Sequence, residues 1–323
     1  MRRRDFIYAL LATLTSGRVL AQANNRTYRI GSVHSAPATA PHHKAFFEEL
    51  ERAGFVLGKN LEQDAAGYGL RQEQFADHAA ELVKSKVDVI LCAGALAIQE
   101  VQRLTKTIPI LGVTEDMLAS RLVASLSKPD GNTTGVSILA AELDGKRQQI
   151  LLEMMPSLKR IALLVDKNNL STNYIAELQE SARKAGVATS IHRAERLEEI
   201  ADAIYEAKSG QADVALNVLA APLFFNNRAL VFAKTAEINL PAIYEWPEMA
   251  EAGGLAAYGP RIVGIYRTQV SRQMIKILRG GSVTEIPVEQ PTSFELVINL
   301  QTAKSAKFDL APAVIARADK VIE

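Results

Sequence analysis

From Tyr28 onward the chain alternates short apolar runs with segments of helical periodicity, and it does so in two successive series. A continuous apolar run such as Val87 to Leu91 reads as a strand covered on both faces, which belongs in a parallel sheet flanked by helices. The first series reads as a strand at Tyr28 to Val33 and a helix at His43 to Ala53. Phe46, Phe47 and Leu50 share one face of that helix, and Gly54 follows as its C-cap. A weaker strand at Leu61 to Tyr68, a helix at Gln72 to Lys84, the Val87 strand, a helix at Ala95 to Thr105 and a strand at Ile108 to Val113 complete it. The second series opens after Met155-Pro156. Strands at Ile161 to Val165, Val187 to Ile191, Val214 to Leu219 and Ala242 to Tyr244 alternate with helices at Ser171 to Ala185, Leu197 to Ala207 and Asn226 to Ile238. Two βαβα series predict an α/β fold of two doubly wound parallel-sheet lobes joined by crossing strands.

The 323 residues suit two lobes of about 130–150 residues each. Three segments are candidate crossings: Asn132 to Ile138, Gly254 to Gly259, and Pro287 to Pro291. They divide the chain into a first lobe of 27–137 plus 259–287 and a second of 138–258 plus 288–323.

Residues 1–23 read differently from the rest. Arg2, Arg3 and Arg4 precede an apolar stretch from Phe6 to Leu14, and Ala21-Gln22-Ala23 supplies an A-x-A cleavage site, the three parts of a signal peptide. The apolar stretch is too short to span a bilayer. Arg3-Arg4-Asp5-Phe6-Ile7 is close to a twin-arginine export signal, although no hydroxyl residue precedes the pair and Arg18 interrupts the approach to the cleavage site. Cleavage after Ala23 removes four of 37 basic residues and one of 36 acidic residues, leaving a mature net charge of −2. The expected location is the periplasm.

That charge, without a basic block, offers nothing to a nucleic-acid backbone. The lone cysteine, Cys92, lies in an apolar run and reads as a buried strand residue; one thiol forms neither an internal disulfide nor a zinc site. After the first strand, Gly31-Ser32-Val33-His34-Ser35-Ala36 lacks the second and third glycines of a dinucleotide loop. Neither a phosphate loop nor a nucleophile elbow is present. His42 and His43 are adjacent, so on a helix they point about 100° apart and do not share a metal; they are expected exposed at a helix start. No cofactor, metal or catalytic residue is expected.

Several stretches, in order and spacing, resemble the ABC transporter substrate-binding family that includes tryptophan- and tyrosine-type binding proteins. They are Leu122 to Leu126 continuing through Lys128-Pro129-Asp130-Gly131-Asn132-Thr133-Thr134-Gly135, then Pro222 to Phe225, then Leu240 to Tyr244. The strongest are Glu251 to Leu255 with Tyr258-Gly259-Pro260, and Pro287 to Thr292 through Phe294 to Leu300. The resemblance implies the type I periplasmic-binding fold and a ligand held in a cleft between hinged lobes. It further implies delivery to an ABC transporter membrane permease by a monomer, with amino-acid-like ligands, aromatic or hydrophobic ones first. Two departures affect the ligand. Glu115-Asp116-Met117 stands where the family often has Gly-Asp-Pro, and Ala221-Pro222-Leu223-Phe224 where it often has Asp-Pro-Leu-Phe.

Ligands of doubly wound sheets bind beyond the carboxyl ends of strands, where helix starts present free N–H groups. That rule nominates His34 and Ser35, Gly94 and Ala95, and Thr114, Glu115 and Asp116 in the first lobe. In the second it nominates Asp166, Asn168, Asn169 and Ser171, then Asn217, then Glu245 and Trp246; Tyr258 lies on a crossing segment. An amino acid would place its carboxylate at the Gly94-Ala95 helix start with help from Ser35, and its ammonium on Glu115, Asp116 or Asp166. Plainer roles stand beside these: Asn169 and Ser171 as helix caps, Asn217 as a satisfied strand amide, Trp246 as lobe packing, Phe224-Phe225 as packing at a helix start, and Glu115-Asp116 as an N-cap region. Two other classes share the architecture: a cytoplasmic ligand-sensing domain of a regulator, and an α/β enzyme. The first normally follows a basic helix-turn-helix, and here only 26 leader-like residues precede Thr27.

Overall fold

A computed structural model of the chain describes residues 26–168, 173–209 and 213–323. The expected leader, Asn169 and Ser171 lie outside the described residues. Two sheets organise the rest. The first is wholly parallel in the order β2-β1-β3-β4-β5, from β1 (Tyr28–Val33), β2 (Leu61–Gln63), β3 (Val89–Ala93), β4 (Ile110–Thr114) and β5 (Thr133–Ser137). Its crossover helices are α1 (Pro41–Arg52), α2 (Phe75–Ser85) and α3 (Ala95–Leu104). On α1 the spacing of Phe46 and Leu50 turns both rings and branches onto the sheet, where each is 0% exposed; burying such a side chain contributes roughly 1.5–3 kcal/mol. The weak strand expected through Tyr68 stops at Gln63. Asp64 then caps a tight turn by accepting the Ala66 N–H at 3.3 Å, an alternative to the ladder that short polar side chains offer.

The second sheet has the order β12-β11-β10-β9-β8-β6-β7. Its strands are β6 (Arg160–Asp166), β7 (Ala188–Ala194), β8 (Val214–Val218), β9 (Ala242–Tyr244), β10 (Ala256–Gly259), β11 (Glu295–Asn299) and β12 (Lys320–Ile322). It departs from an all-parallel sheet at one seam, where β11 runs antiparallel to β10. The long helix α4 (Ala140–Met154) joins the lobes in sequence and packs on β8 and β10. Then follow α5 (Asn173–Lys184), α6 (Leu197–Lys208), α7 (Pro222–Asn226), α8 (Arg228–Glu237) and α9 (Pro247–Glu251). Helix α4 carries a buried ion pair, Arg147 with Asp144, and Arg147 Nη1 also donates to the Tyr258 carbonyl at 2.9 Å. Removing one partner of such a pair strands a buried charge at a cost of about 3–5 kcal/mol.

The chain crosses between the sheets three times. It leaves the first sheet at Ile138, after β5, and leaves the second after β10. It then runs along α10 (Ile262–Ile265), through a π-helical turn at Tyr266–Val270, into α11 (Ser271–Leu278), all of which pack on α1. This returning helix is tied down by Gln273, whose Nε2 donates to the Gly135 and Pro287 carbonyls at 3.2 Å each. Thr134 Oγ1 donates to the Ile286 carbonyl at 2.6 Å. Val288 and Glu289 still bond to the first lobe, through Leu126 at 2.8 Å and Gly135 at 2.9 Å, so the last crossing lies beyond Gln290. It leads to β11, α12 (Leu300–Ala306), α13 (Pro312–Ile315) and β12. Among the described residues, no helix is long and apolar enough to cross a membrane.

Candidate functional site

The two sheets point their carboxyl ends at a common cleft, and the residues that follow those ends enclose it. From the first lobe come Ser35 after β1, Gly94 after β3 and Glu115 after β4; from the second come Pro222 after β8 and Glu245 after β9. They enclose a cavity of ≈ 60 Å³. A smaller adjoining one of ≈ 30 Å³ adds Gln72, Ala95, Asp166 and Asn168. The lobes touch across it. Gly94 has φ +88°, a conformation that side chains rarely adopt, and a Cβ there would sit 3.0 Å from Pro222 Cγ. Glycine is what lets the first lobe close on the second.

Three carboxyl groups face this space: Glu115 from the first lobe, Asp166 and Glu245 from the second. Burial raises the Glu115 pKa, opposed by the Thr114 hydroxyl, which donates to its Oε2 at 2.5 Å, and by the Ala95 backbone amide. Burial pushes Asp166 up to about 6, against the Asn168 N–H that donates to its Oδ1 at 2.9 Å. Burial likewise raises Glu245 well above the usual carboxylate range, although Arg147 favours its charged form. Closing the cleft around these groups without a cation disfavours their ionisation, whereas a bound cation would restore it.

The rest of the wall is aromatic. Trp246 and Phe225 meet edge to face at 6.1 Å, His42 lies 6.0 Å from Phe225, and Tyr266 lies 4.7 Å from His42. Behind them the imidazoles form a relay. The Pro37 carbonyl only accepts, so His43 Nδ1–H donates to it at 2.9 Å. In the neutral ring His43 Nε2 is then an acceptor, and His34 Nδ1–H donates to it at 3.2 Å. Burial holds all three histidines neutral, lowering His43 to about 4 and His42 to about 3, with His34 well below its ordinary value. His34 Nε2 is left with a lone pair and no partner among the described residues.

The family model described as ABC transporter substrate binding protein matches residues 30–322. The chain belongs to that family. It is 26% identical over 278 residues to the tyrosine-binding protein of Clostridioides difficile (strain R20291), covering 83% of this chain and 77% of that one. Its fold matches the ABC domain from Streptococcus pneumonia solved in complex with L-Trp. That match has a TM-score of 0.79 at 21% identity, over 92% of this chain and all of the other. A conserved domain protein from Vibrio cholerae matches with a TM-score of 0.80, also at 21% identity, over 92% of this chain and 99% of that one.

In this substrate-binding protein, ten of the nominated residues line the two cavities: His34, Ser35, Gly94, Ala95, Thr114, Glu115, Asp166, Asn168, Glu245 and Trp246. Three do not. Asp116 turns away from Glu115 and accepts the Leu118 and Ala119 N–H groups at 2.8 and 2.9 Å, the capping role. Asn217 sits inside β8, 0% exposed, with Nδ2 donating to the Asp144 carbonyl of α4 at 3.1 Å. Tyr258 packs into the second lobe and stacks on Phe294 at 6.3 Å. The helix start differs too: the Gly94 N–H donates to the Val113 carbonyl at 2.8 Å, so it is not free for a ligand carboxylate.

His42 and His43, expected in solvent, are 3% and 0% exposed. Pro41 opens α1 two residues earlier than the apolar spacing suggests, which rolls both rings inward. Phe225 faces the cavity, while its neighbour Phe224 fills the core. Tyr266 escaped sequence reasoning altogether. The signal was available in the apolar spacing of Ile262, Ile265, Tyr266 and Val270 after Gly259-Pro260, which marks a helix leaving the crossing.

Proposed function

We propose that the mature protein is exported to the periplasm and closes its lobes on an aromatic small molecule bearing an ammonium group. It then presents the loaded form, as a monomer, to the membrane permease of an ABC importer. The lobes divide near residues 137, 259 and 290. The observation that carries the reading is the pairing, in one cleft, of Glu115, Asp166 and Glu245 with the Trp246, Phe225 and Tyr266 rings. Carboxylates recognise the ammonium by charge-assisted hydrogen bonds, and the rings cover an apolar body. The family, the tyrosine-binding relative and the fold shared with an L-Trp complex support the same class.

A cavity of ≈ 60 Å³ is well below the roughly 150 Å³ that admits benzene. Entry of an aromatic ligand therefore requires the lobes to part and re-close around it, as two rigid bodies on three crossings do. Mass spectrometry of the small molecule carried by protein purified from a periplasmic extract tests the reading, with N-terminal sequencing of the same sample. An aromatic ammonium compound on a chain beginning near Asn24 is the expected result. An intact Met1 N-terminus on cytoplasmic protein, or a bound compound without nitrogen, overturns it.

A further inference from the structure

We propose that His34 is a specificity-determining acceptor of the cleft, whose Nε2 receives a hydrogen bond from a donor on the ligand's aromatic ring, a phenol O–H or an indole N–H. This rests on the reading above, that an aromatic ammonium compound enters between the lobes, and says what its ring must carry. A ring without a donor leaves the imidazole nitrogen desolvated and unpaired, which costs more than a made hydrogen bond gains.

His34 follows β1, lines the larger cavity and is 0% exposed. Its main chain is held on both sides: the N–H donates to the Gly67 carbonyl at 2.9 Å, and the carbonyl accepts the Leu70 N–H at 2.9 Å. Its ring stacks on Tyr68 at 5.5 Å and meets His43 edge to face at 4.7 Å. An acceptor fixed in this way loses little freedom when a ligand arrives.

The polarity of the site is set from Pro37. That carbonyl only accepts, so His43 Nδ1 carries a proton, His43 Nε2 accepts, and His34 Nδ1 carries the next proton. His34 Nε2 is left as a buried lone pair without a partner among the described residues. Burial opposes protonation of the ring, and His43 and His42 add to that, so Nε2 remains an acceptor. The hydroxyl of the stacked Tyr68 is engaged elsewhere, with Ser32 Oγ at 2.9 Å.

The two cavities divide the ligand in the matching sense. His42, Phe225, Trp246 and Tyr266 line only the larger, Asp166 and Asn168 line only the smaller, and Glu115 borders both. A ligand whose ammonium meets Glu115 and Asp166 therefore lays its ring in the cavity that His34 lines. A site built to bond a ligand hydroxyl or N–H rejects the analogue that lacks it far more strongly than an apolar pocket does.

Calorimetric titration of the mature protein at pH 7.5 with two matched pairs tests the proposal. One pair is L-tyrosine against L-phenylalanine; the other is L-tryptophan against 3-benzothienyl-L-alanine, in which sulfur replaces the indole N–H. The donor-bearing member of at least one pair is expected to bind tenfold or more tightly. His34→Phe, checked for an unchanged circular dichroism spectrum, keeps a flat ring without the acceptor and should narrow that gap to about threefold or less. Nitrogen-15 NMR of the imidazoles in the unmodified protein does not depend on the variant folding: the unprotonated His34 Nε2 should move to lower frequency on binding the donor-bearing compound. Equal or inverted affinities in both pairs, a gap unchanged in folded His34→Phe, or a proton on Nε2 in the free protein overturns the proposal and leaves the aromatic ammonium reading standing. Absence of binding by all four compounds overturns both.

Discussion

Asn168 Nδ2 donates to Gln72 Oε1 at 2.7 Å across the cleft, joining the loop after β6 to the turn before α2. The two residues are 96 apart in sequence and belong to different lobes, so the bond exists only while the lobes are closed. A net hydrogen bond of this kind is worth about 0.5–1.5 kcal/mol. Gln72→Ala is therefore expected to shift the closed-to-open ratio of the ligand-free protein by roughly two- to tenfold. Small-angle scattering should show a larger radius of gyration than the unmodified protein. Identical profiles would remove Gln72 from the closing mechanism.

Gly94 sets how near the lobes can come. With φ +88° and Pro222 Cγ 3.0 Å from an added methyl, Gly94→Ala combines about 1–3 kcal/mol of backbone strain with a steric block to closure. The expected outcome is a melting temperature lower by several degrees and ligand binding weakened at least tenfold. Wild-type affinity in a folded Gly94→Ala variant would show that closure does not pass through this contact.

The pH dependence of stability follows from Asp166, whose pKa rises from 3.8 to about 6, chiefly by burial, with Glu115 and Glu195 adding repulsion. A raised carboxyl pKa means that the folded protein holds a proton that the unfolded chain has released, so stability falls as pH rises from about 4 to about 6 and then levels. The total is roughly 3 kcal/mol as an upper value. Asp166→Asn keeps an acceptor for the Asn168 N–H and removes the titration. Its melting temperature should match the unmodified protein near pH 4 and exceed it above pH 6; a constant offset would contradict the assignment.

Trp246 is the single tryptophan of the chain and lines the cavity. Ligand binding should therefore change intrinsic tryptophan emission directly, without a label. Trp246→Phe should abolish the signal while weakening binding by no more than about tenfold, since a smaller ring keeps part of the apolar contact. Emission unchanged at saturating ligand would place the ligand away from this wall.

The central strands of both sheets were legible because they are covered on both faces, whereas β11 and β12 were not read as strands. Runs such as Val89 to Cys92 and Ile161 to Val165 have no exposed side for polar residues to occupy. The site was legible to the extent that it follows strand ends, which located Glu115, Asp166 and Glu245. Helix α4 was not legible: Asp144, Arg147 and Gln148 are buried on it and break the apolar period. Its partners lie on β8 and β10, far along the chain, so no local pattern announces them. The same cause left two readings of Asn217 open, whose Nδ2 is met by the Asp144 carbonyl, and hid the inward roll of His42, which is fixed by α10 and the turn after it.

The first sheet is complete in sequence at Ser137, yet its last strand is fastened by Ile286 and Glu289, with Thr134 reaching a partner 152 residues later. On a ribosome adding about 5–20 residues per second, that partner arrives roughly 10–30 s after the strand it secures. The nascent first lobe spends this interval with one edge open and α1 lacking the helix that covers it. A fragment ended at Ser137 should therefore aggregate rather than persist as an independent domain, and the two halves of the molecule reach their native form together.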